Sequence, residues 1–336
     1  MPIAFRPRLP RRTRARRLAA AVPAAPERTQ PHIERLSHGG VEWIHVDEPS
    51  ALERAWLAEH FEFHALDLED VMSRNQRPKI DEYPDYLFIV LHFPVFDKQV
   101  GRLNAGELDL FVGPDFIITL PNQQLKPVQY LFERCRTNEE FREQLFSNGT
   151  GYLLYQIVDQ SVDYCFPMLR KIGNKLEQLE EEIFIGRGEE VVRDISNVKQ
   201  EIINFRKVIR PQRPVLRDLE KVKQRYLASD LDLEIYFDDI VDAHERIWDM
   251  LENYKEVAEA LEETNESVIS HRLNDILRVL TSISVVILPL TLIASIMGMN
   301  SWVPGEHNEE GFFLVLGVMA LLLLGLVVYF RKRRWL

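Results

Sequence analysis

The sequence predicts a multi-pass, two-span membrane protein: an α/β N-terminal cytoplasmic domain, a long-helix stalk and two C-terminal transmembrane helices. Three observations predict it. The 336-residue chain is only 46% hydrophobic, yet it carries no charge from Val279 to Gly305 and none from Gly311 to Phe330. About twenty helical residues cross the ~30 Å hydrocarbon layer, so each run is long enough to span it. No Pro or Gly falls between Leu233 and Leu288, so one helix can rise unbroken into the first run. Upstream, β-branched and aromatic stretches alternate with turn signals until about Pro127, where strand character fades.

Residues 1–30 form a basic arm rich in Arg, Pro and Ala, with no acid before Glu27. It lacks the apolar core of a secretory signal and reads as a disordered arm able to touch anionic lipid, or alternatively as a mitochondrial presequence. Residues 31–126 read as α/β. "VEWIHVD" and "YLFIVLHFPVF" look like strands, and "LDLFVGPDFIITLP" like two strands turned at Gly113-Pro114. "SALERAWLAEHF" reads as a helix with Ser50 as N-cap and Glu53 closing a capping box. Residues 127–232 read as helical, with Pro167 a candidate kink and Pro211 a stop. Cys135 and Cys165 offer no disulfide framework and read as buried thiols of a reducing compartment.

The stalk, residues 233–298, continues into a first span at about 279–298. Ile240, Ile247, Tyr254, Leu261 and Val268 recur every seven residues, beside His244, Leu251, Ala258 and Asn265. That coiled-coil-like seam needs neighbours, and oligomerisation follows as the expectation. In the span, steps of three and four connect Asn274, Leu277, Thr281, Ser284, Leu288, Thr291 and Ser295, a row holding four of the five hydroxyl residues between Val279 and Met297. Such a row serves either close helix packing or a wet pore, in which Leu277 and Leu288 would be apolar constrictions. Asn274 and Asn300, near the same face, favour the pore. Asn300 also suits a helix C-cap. A loop at 299–311 carries Glu306, His307, Glu309 and Glu310 and no Lys or Arg. The second span, 312–330, is apolar all round, which suits an outer, lipid-facing position. The tail, 331–336, is basic. With Arg272 and Arg278 before the first span, it puts both termini in the cytoplasm by the positive-inside rule. The cell inner membrane is the expected location, with the mitochondrial inner membrane as the alternative.

Gly298-Met299-Asn300 after a span containing "LPLT", followed by a second span ending "RKRRWL", resembles the CorA family of divalent-cation transporters. "LDLEDVMSRNQRPKIDEYPDYLFIVL", "YLLYQIVD", "YFDDIVDAHERI" and "NDILRVLTSISVVILPLTLIASIMGMN" are similar to family segments in the same order, so the resemblance runs from about Trp43 to Leu336. It implies a funnel-shaped homopentamer in lipid, with a central pore made by the first span. Mg2+ would be both cargo and regulator, Co2+ or Ni2+ further cargo, and no organic cofactor or nucleic acid is expected. Gly298, Met299 and Asn300 would form the outer mouth and Asn274 an inner polar ring. Asp70 and Asp239 would bind regulatory Mg2+ between subunits.

The chemistry suits these residue types. Mg2+ dehydrates reluctantly, and neutral amide oxygens can accept hydrogen bonds from its water without trapping the ion. Glu306, Glu309 and Glu310 would concentrate cations at the mouth. An inside-negative potential of ~100 mV supplies roughly 4–5 kcal/mol to a divalent ion, and no GxxxxGK[ST] loop is present to feed an ATPase. The loop departs from the family's Met-Pro-Glu-Leu type segment, reading Trp302-Val303-Pro304-Gly305-Glu306. A zinc transporter of the same superfamily, with or without proton coupling, is therefore the alternative within the class. Outside it, the alternative is a non-conducting membrane-anchored scaffold or sensor. No enzyme is expected, since "HERIW" is not HExxH and His60, His64 and His92 fall in no metal or triad spacing.

Overall fold

The structure, a computed structural model, describes residues 30–73, 76–97, 101–185, 188–221, 227, 229, 231–299, 309–333 and 335. The basic arm expected at 1–30 lies almost wholly outside them. Six strands form one sheet: β1 (Glu34–His38), β2 (Val41–His45), β3 (Lys79–Glu82), β4 (Leu87–Asp97), β5 (Arg102–Val112) and β6 (Phe116–Pro121). Their order is β1-β2-β6-β5-β4-β3, antiparallel throughout except for the parallel β2–β6 pair. At the β5–β6 turn Gly113 lies under the Phe116 ring, which a Cβ at 2.3 Å would push aside.

Strand alternation sends side chains to two faces. Ile44, Phe88, Val90, Phe111 and Ile118 meet Leu57 of α1 (Ala51–His60) and Leu68 of α2 (Ala65–Asp70). Ser50 caps α1 and Glu53 returns the bond, the reciprocal box its sequence encodes. The other face, with Trp43, Leu87, Ile89, Leu108 and Leu110, joins the main core. That core also takes in α3 (Lys126–Thr137), α4 (Glu139–Phe146), α5 (Gly149–Asp163), α6 (Cys165–Ile185), α7 (Gly188–Ile209) and α8 (Arg213–Lys221). The single helical pattern read across α5 and α6 breaks at Tyr164. Pro167 has no N–H for the Asp163 carbonyl, so the ladder opens there.

One helix organises the rest. α9 (Leu233–Met297) has 65 residues, is about 100 Å long, and is capped by the Asp232 side chain at the Glu234 N–H. Its seam was expected to meet other chains. Instead α5, α6, α7 and α8 of the same chain cover it, and Phe237, Ile240, Ile247, Leu251, Ala258 and Leu261 are buried. The reason is connectivity: α6 and α7 form an antiparallel hairpin laid along α9. Ion pairs mark its register, Arg206–Glu252 at 2.5 Å and Lys199–Glu262, and Arg213 at the start of α8 adds a pair to Glu245 at 2.6 Å. His244 is a core residue, bonded through Nε2 to the Ile209 carbonyl at 3.0 Å. Burial is the main force holding its imidazole below the usual histidine range. α10 (Glu309–Lys332) then runs back along α9.

If the seam is internal, truncating it destabilises the chain itself. Leu251→Ala should cost about 2–5 kcal/mol and lower the thermal midpoint of detergent-solubilised protein independently of protein concentration. A midpoint that falls on dilution would return the seam to an intersubunit role.

Candidate functional site

Beyond Arg278, α9 presents two different faces. The residues withdrawn from the surface are Ser282, Val286, Pro289, Leu290 and Ile293, on the side where α10 packs. Asn274, Leu277, Thr281, Ser284, Leu288, Thr291 and Ser295 are all exposed. At about 100° per residue the two rows lie roughly half a turn apart. The second span therefore covers the face opposite the hydroxyl row and leaves that row bare.

The hydroxyl groups have a definite polarity. Ser284 Oγ donates to the Leu280 carbonyl and Thr291 Oγ1 to that of Ile287, each at 3.0 Å. Ser282, under α10, does the same to Arg278 at 2.8 Å. With the protons turned back onto the helix, Ser284 and Thr291 face outward with oxygen lone pairs. Pro289 interrupts the ladder one turn above Val285 and frees that residue's carbonyl. The uncovered row is thus rich in acceptors.

At the top of the span Gly298 is the C-cap, donating to the Ala294 carbonyl at 3.0 Å, so the cap expected at Asn300 falls two residues earlier. Met299 follows it, exposed. Asn300, Glu306 and His307 lie outside the described residues. α10 starts at Glu309, which makes Glu309 and Glu310 first-turn residues rather than loop residues. At the other end Arg278 lies over the Trp335 ring at 5.8 Å. The basic flank of the first span and the end of the chain thereby meet at one end of the helix pair.

The two acids Asp70 and Asp239 stand on separate elements. Asp67 pins α2, accepting from Tyr83 Oη at 3.0 Å and Tyr86 Oη at 2.8 Å, and one turn later α2 presents Asp70. Both oxygens of Asp70 are taken: Oδ1 accepts from Gln76 Nε2 and Oδ2 from Lys79 Nζ, each at 2.8 Å. Lys79 also reaches Asp81 at 2.5 Å. Burial opposes the Lys79 charge, but its bonds to Asp70 and Asp81 outweigh that and hold the ammonium firmly protonated. Asp239 is exposed on the first turns of α9. Its charge, with that of Asp163, reaches Asp159 on α5. Burial first and these two charges second push the Asp159 carboxyl up to about 6. Among the described residues no hydrogen bond or ion pair joins Asp70 to Asp239, and no group of three or more His, Cys, Asp or Glu is assembled to hold a metal.

Sequence reasoning missed Lys79, Asp159 and Asp163. Asp159 had a readable signal, an acid between Val158 and Val162, both buried on an otherwise apolar helix face. Lys79 had none, because its meaning depends on the turn that returns β3 to α2.

The family model described as CorA-like Mg2+ transporter protein matches residues 38–332. The cobalt/magnesium transport protein CorA of Thermotoga maritima is 31% identical over 281 residues, covering 83% of this chain and 79% of that protein. The complete structure of the CorA magnesium transporter from Methanocaldococcus jannaschii superposes with a TM-score of 0.77 at 23% identity, covering 91% of this chain and 95% of that one. The cytoplasmic domain of ZntB from Vibrio parahaemolyticus matches with a TM-score of 0.56 at 13% identity, over 69% of this chain and 88% of that one. The two long apolar helices are therefore read as membrane spans below which a soluble domain is built, and the chain belongs to the CorA-like Mg2+ transporter family.

Proposed function

We propose that this chain is the subunit of a homo-oligomeric, pentameric Mg2+ channel of the cell inner membrane, with Co2+ and Ni2+ as further cargo. The observation that carries the reading is the bare acceptor row of α9 opposite the packing face of α10. Several copies arranged with α10 outward would turn Asn274, Thr281, Ser284, Thr291 and Ser295 toward a common axis. There, outward lone pairs accept hydrogen bonds from the water shell of a cation that dehydrates reluctantly. Leu277 and Leu288 would form the rings that dewet when the pore narrows. Gly298, Met299 and Asn300 would form the mouth, with Glu306, Glu309 and Glu310 attracting cations to it. Both termini face the cytoplasm, and the membrane potential drives influx.

In this reading the brake is regulatory Mg2+ held between subunits by Asp239 of one and Asp70 of the next. The donor set suits the ion: Asp239 shares its field with Asp159 and Asp163, an all-oxygen, like-charged group that a hard cation relieves. Asp70 must release Lys79 or act through its charge, so Lys79 competes with the ion. When internal Mg2+ falls, facing acids repel and the ring loosens. Zinc transport, with or without proton coupling, is the second reading, favoured by the departure of the loop at Pro304-Gly305.

Flux of Mg2+, Co2+, Ni2+ and Zn2+ into proteoliposomes, with and without a pH gradient, separates these readings. Mg2+ flux that follows the potential is expected. The double variant Ser284→Ala/Thr291→Val should lower it about tenfold or more, equivalent to at least ~1.4 kcal/mol. Proton-dependent Zn2+ flux without Mg2+ flux would select the second reading. No flux in folded oligomer would make the chain a scaffold.

For the brake, Asp239→Ala should raise the internal Mg2+ needed for inhibition and Lys79→Gln should lower it, both read as dose-response midpoints. Inhibition should also weaken below about pH 6, as Asp159 gains its proton and the acidic field falls. Unchanged midpoints in both variants would remove these acids from regulation.

A further inference from the structure

A cleft opens where the sheet meets the helix layer. It has a volume of about 590 Å³ and lies between the end of β4, the start of β5, the segment leading into α3, and α6. Phe93, Leu103, Leu125 and Ile172 give it a buried, apolar floor. Gly106 on β5 keeps that floor recessed. A Cβ there would lie 2.5 Å from Val95 and 2.8 Å from Leu125, so with glycine both side chains settle against the strand. Two aromatic rings stand at the edge: Phe96 on β4, 51% exposed, and Tyr164 between α5 and α6, 40% exposed. Clefts of ~300–1,000 Å³ that are mostly apolar, with a few convergent polar groups, are the usual form of a small-molecule site.

The charge at this cleft is opposite to that of the chain. The formal net charge is −11, yet the charged side chains around the cleft are Lys126, Lys171, Lys175 and a single acid, Glu201. Lys175 occupies both oxygens of Glu201, at 2.6 and 2.8 Å. Lys126 and Lys171 are exposed and form no ion pair among the described residues. Two uncompensated ammonium groups above an apolar floor suit an anion with an apolar body.

Two other occupants are set aside by the same observations. Residues 1–29 of the chain carry eight Arg and one acid, a charge that the free lysines repel. A bilayer is out of reach. Gly173, beside Lys171 on α6, lies against the Tyr254 hydroxyl, and from Tyr254 to Val279 is 25 residues, about 37 Å of helix. The polar layer of a bilayer is only roughly 5–8 Å deep.

We infer that this cleft is a binding site for a soluble aromatic carboxylate, its ring system on the apolar floor against Phe96 and Tyr164 and its charged group at Lys126 and Lys171. Ring–ring contact recovers the apolar area that the two edge residues leave in water. The carboxylate accepts charge-assisted hydrogen bonds from the two ammonium groups. The bound anion joins β4 to α6, a helix that packs on α9. The site is independent of the transported ion and of the acids proposed as the brake.

The test uses full-length protein in phosphatidylcholine nanodiscs, with empty nanodiscs as reference, titrated with 6-fluoro-2-naphthoate and followed by fluorine NMR line width. Saturable binding with a Kd below about 1 mM is expected. Lys126→Gln/Lys171→Gln should raise the Kd at least about fivefold, and Phe96→Ala at least about threefold. The neutral 6-fluoro-2-naphthamide should bind at least about fivefold more weakly than the acid. All three substituted residues are exposed, so the variants keep the fold, which an unchanged thermal midpoint verifies. No saturable binding beyond that of empty nanodiscs would overturn the inference. So would an unchanged Kd in the lysine variant, or equal binding of the amide.

Discussion

A helix that leaves water and enters lipid must change what its surface offers without breaking its hydrogen-bond ladder. α9 does this over 65 residues, and the rest of the structure is arranged around how its faces are covered. In the cytoplasmic part, the apolar seam is filled from within the chain by the α5 to α8 helices, and lysine and arginine pairs with Glu245, Glu252 and Glu262 hold the packing in register. In the membrane part only α10 is available, and it covers one side. What remains bare there includes a row of hydroxyl side chains, flanked by exposed Leu, Ile and Val. Lipid tails offer such a row nothing, whereas a hydrated ion offers it many hydrogen bonds.

In the proposed reading, the acids near the base of α9 would let the protein sense its own cargo. Burial first, and the charges of Asp163 and Asp239 second, raise the Asp159 carboxyl, so this group resists carrying its full charge. Asp70, by contrast, is already satisfied by Lys79 and Gln76. An ion arriving between subunits would relieve the first set and would have to compete for the second. In that reading the threshold of regulation would depend on Lys79 as much as on the carboxylates.

Much of this was legible beforehand, for physical reasons. The bounds of α9 could be read because Asp232 caps one end, Gly298 ends the other, and no Pro or Gly interrupts before Pro289. Ser50 and Glu53 announced α1 through a local reciprocal bond. Short elements such as β1, β3 and α2 carry too few residues to show a period, and they form because the sheet and Asp67 hold them. The seam of α9 revealed that something covers it but not what, since an apolar row is the same whether its partner belongs to the same chain or another. The pairing of Asp70 with Lys79 was likewise invisible, because it is created by the turn between them.

The central claim is that the bare row of α9 faces water while the membrane is intact. Single cysteines at Thr281, Ser284, Thr291, Ser282 and Val286, tested with a small membrane-impermeant thiol reagent during Mg2+ flux, address it directly. The account predicts that modification at 281, 284 and 291 blocks flux, and that 282 and 286, under α10, do not react. Reaction spread evenly over the five positions, or none at 281, 284 and 291 in conducting protein, would contradict it.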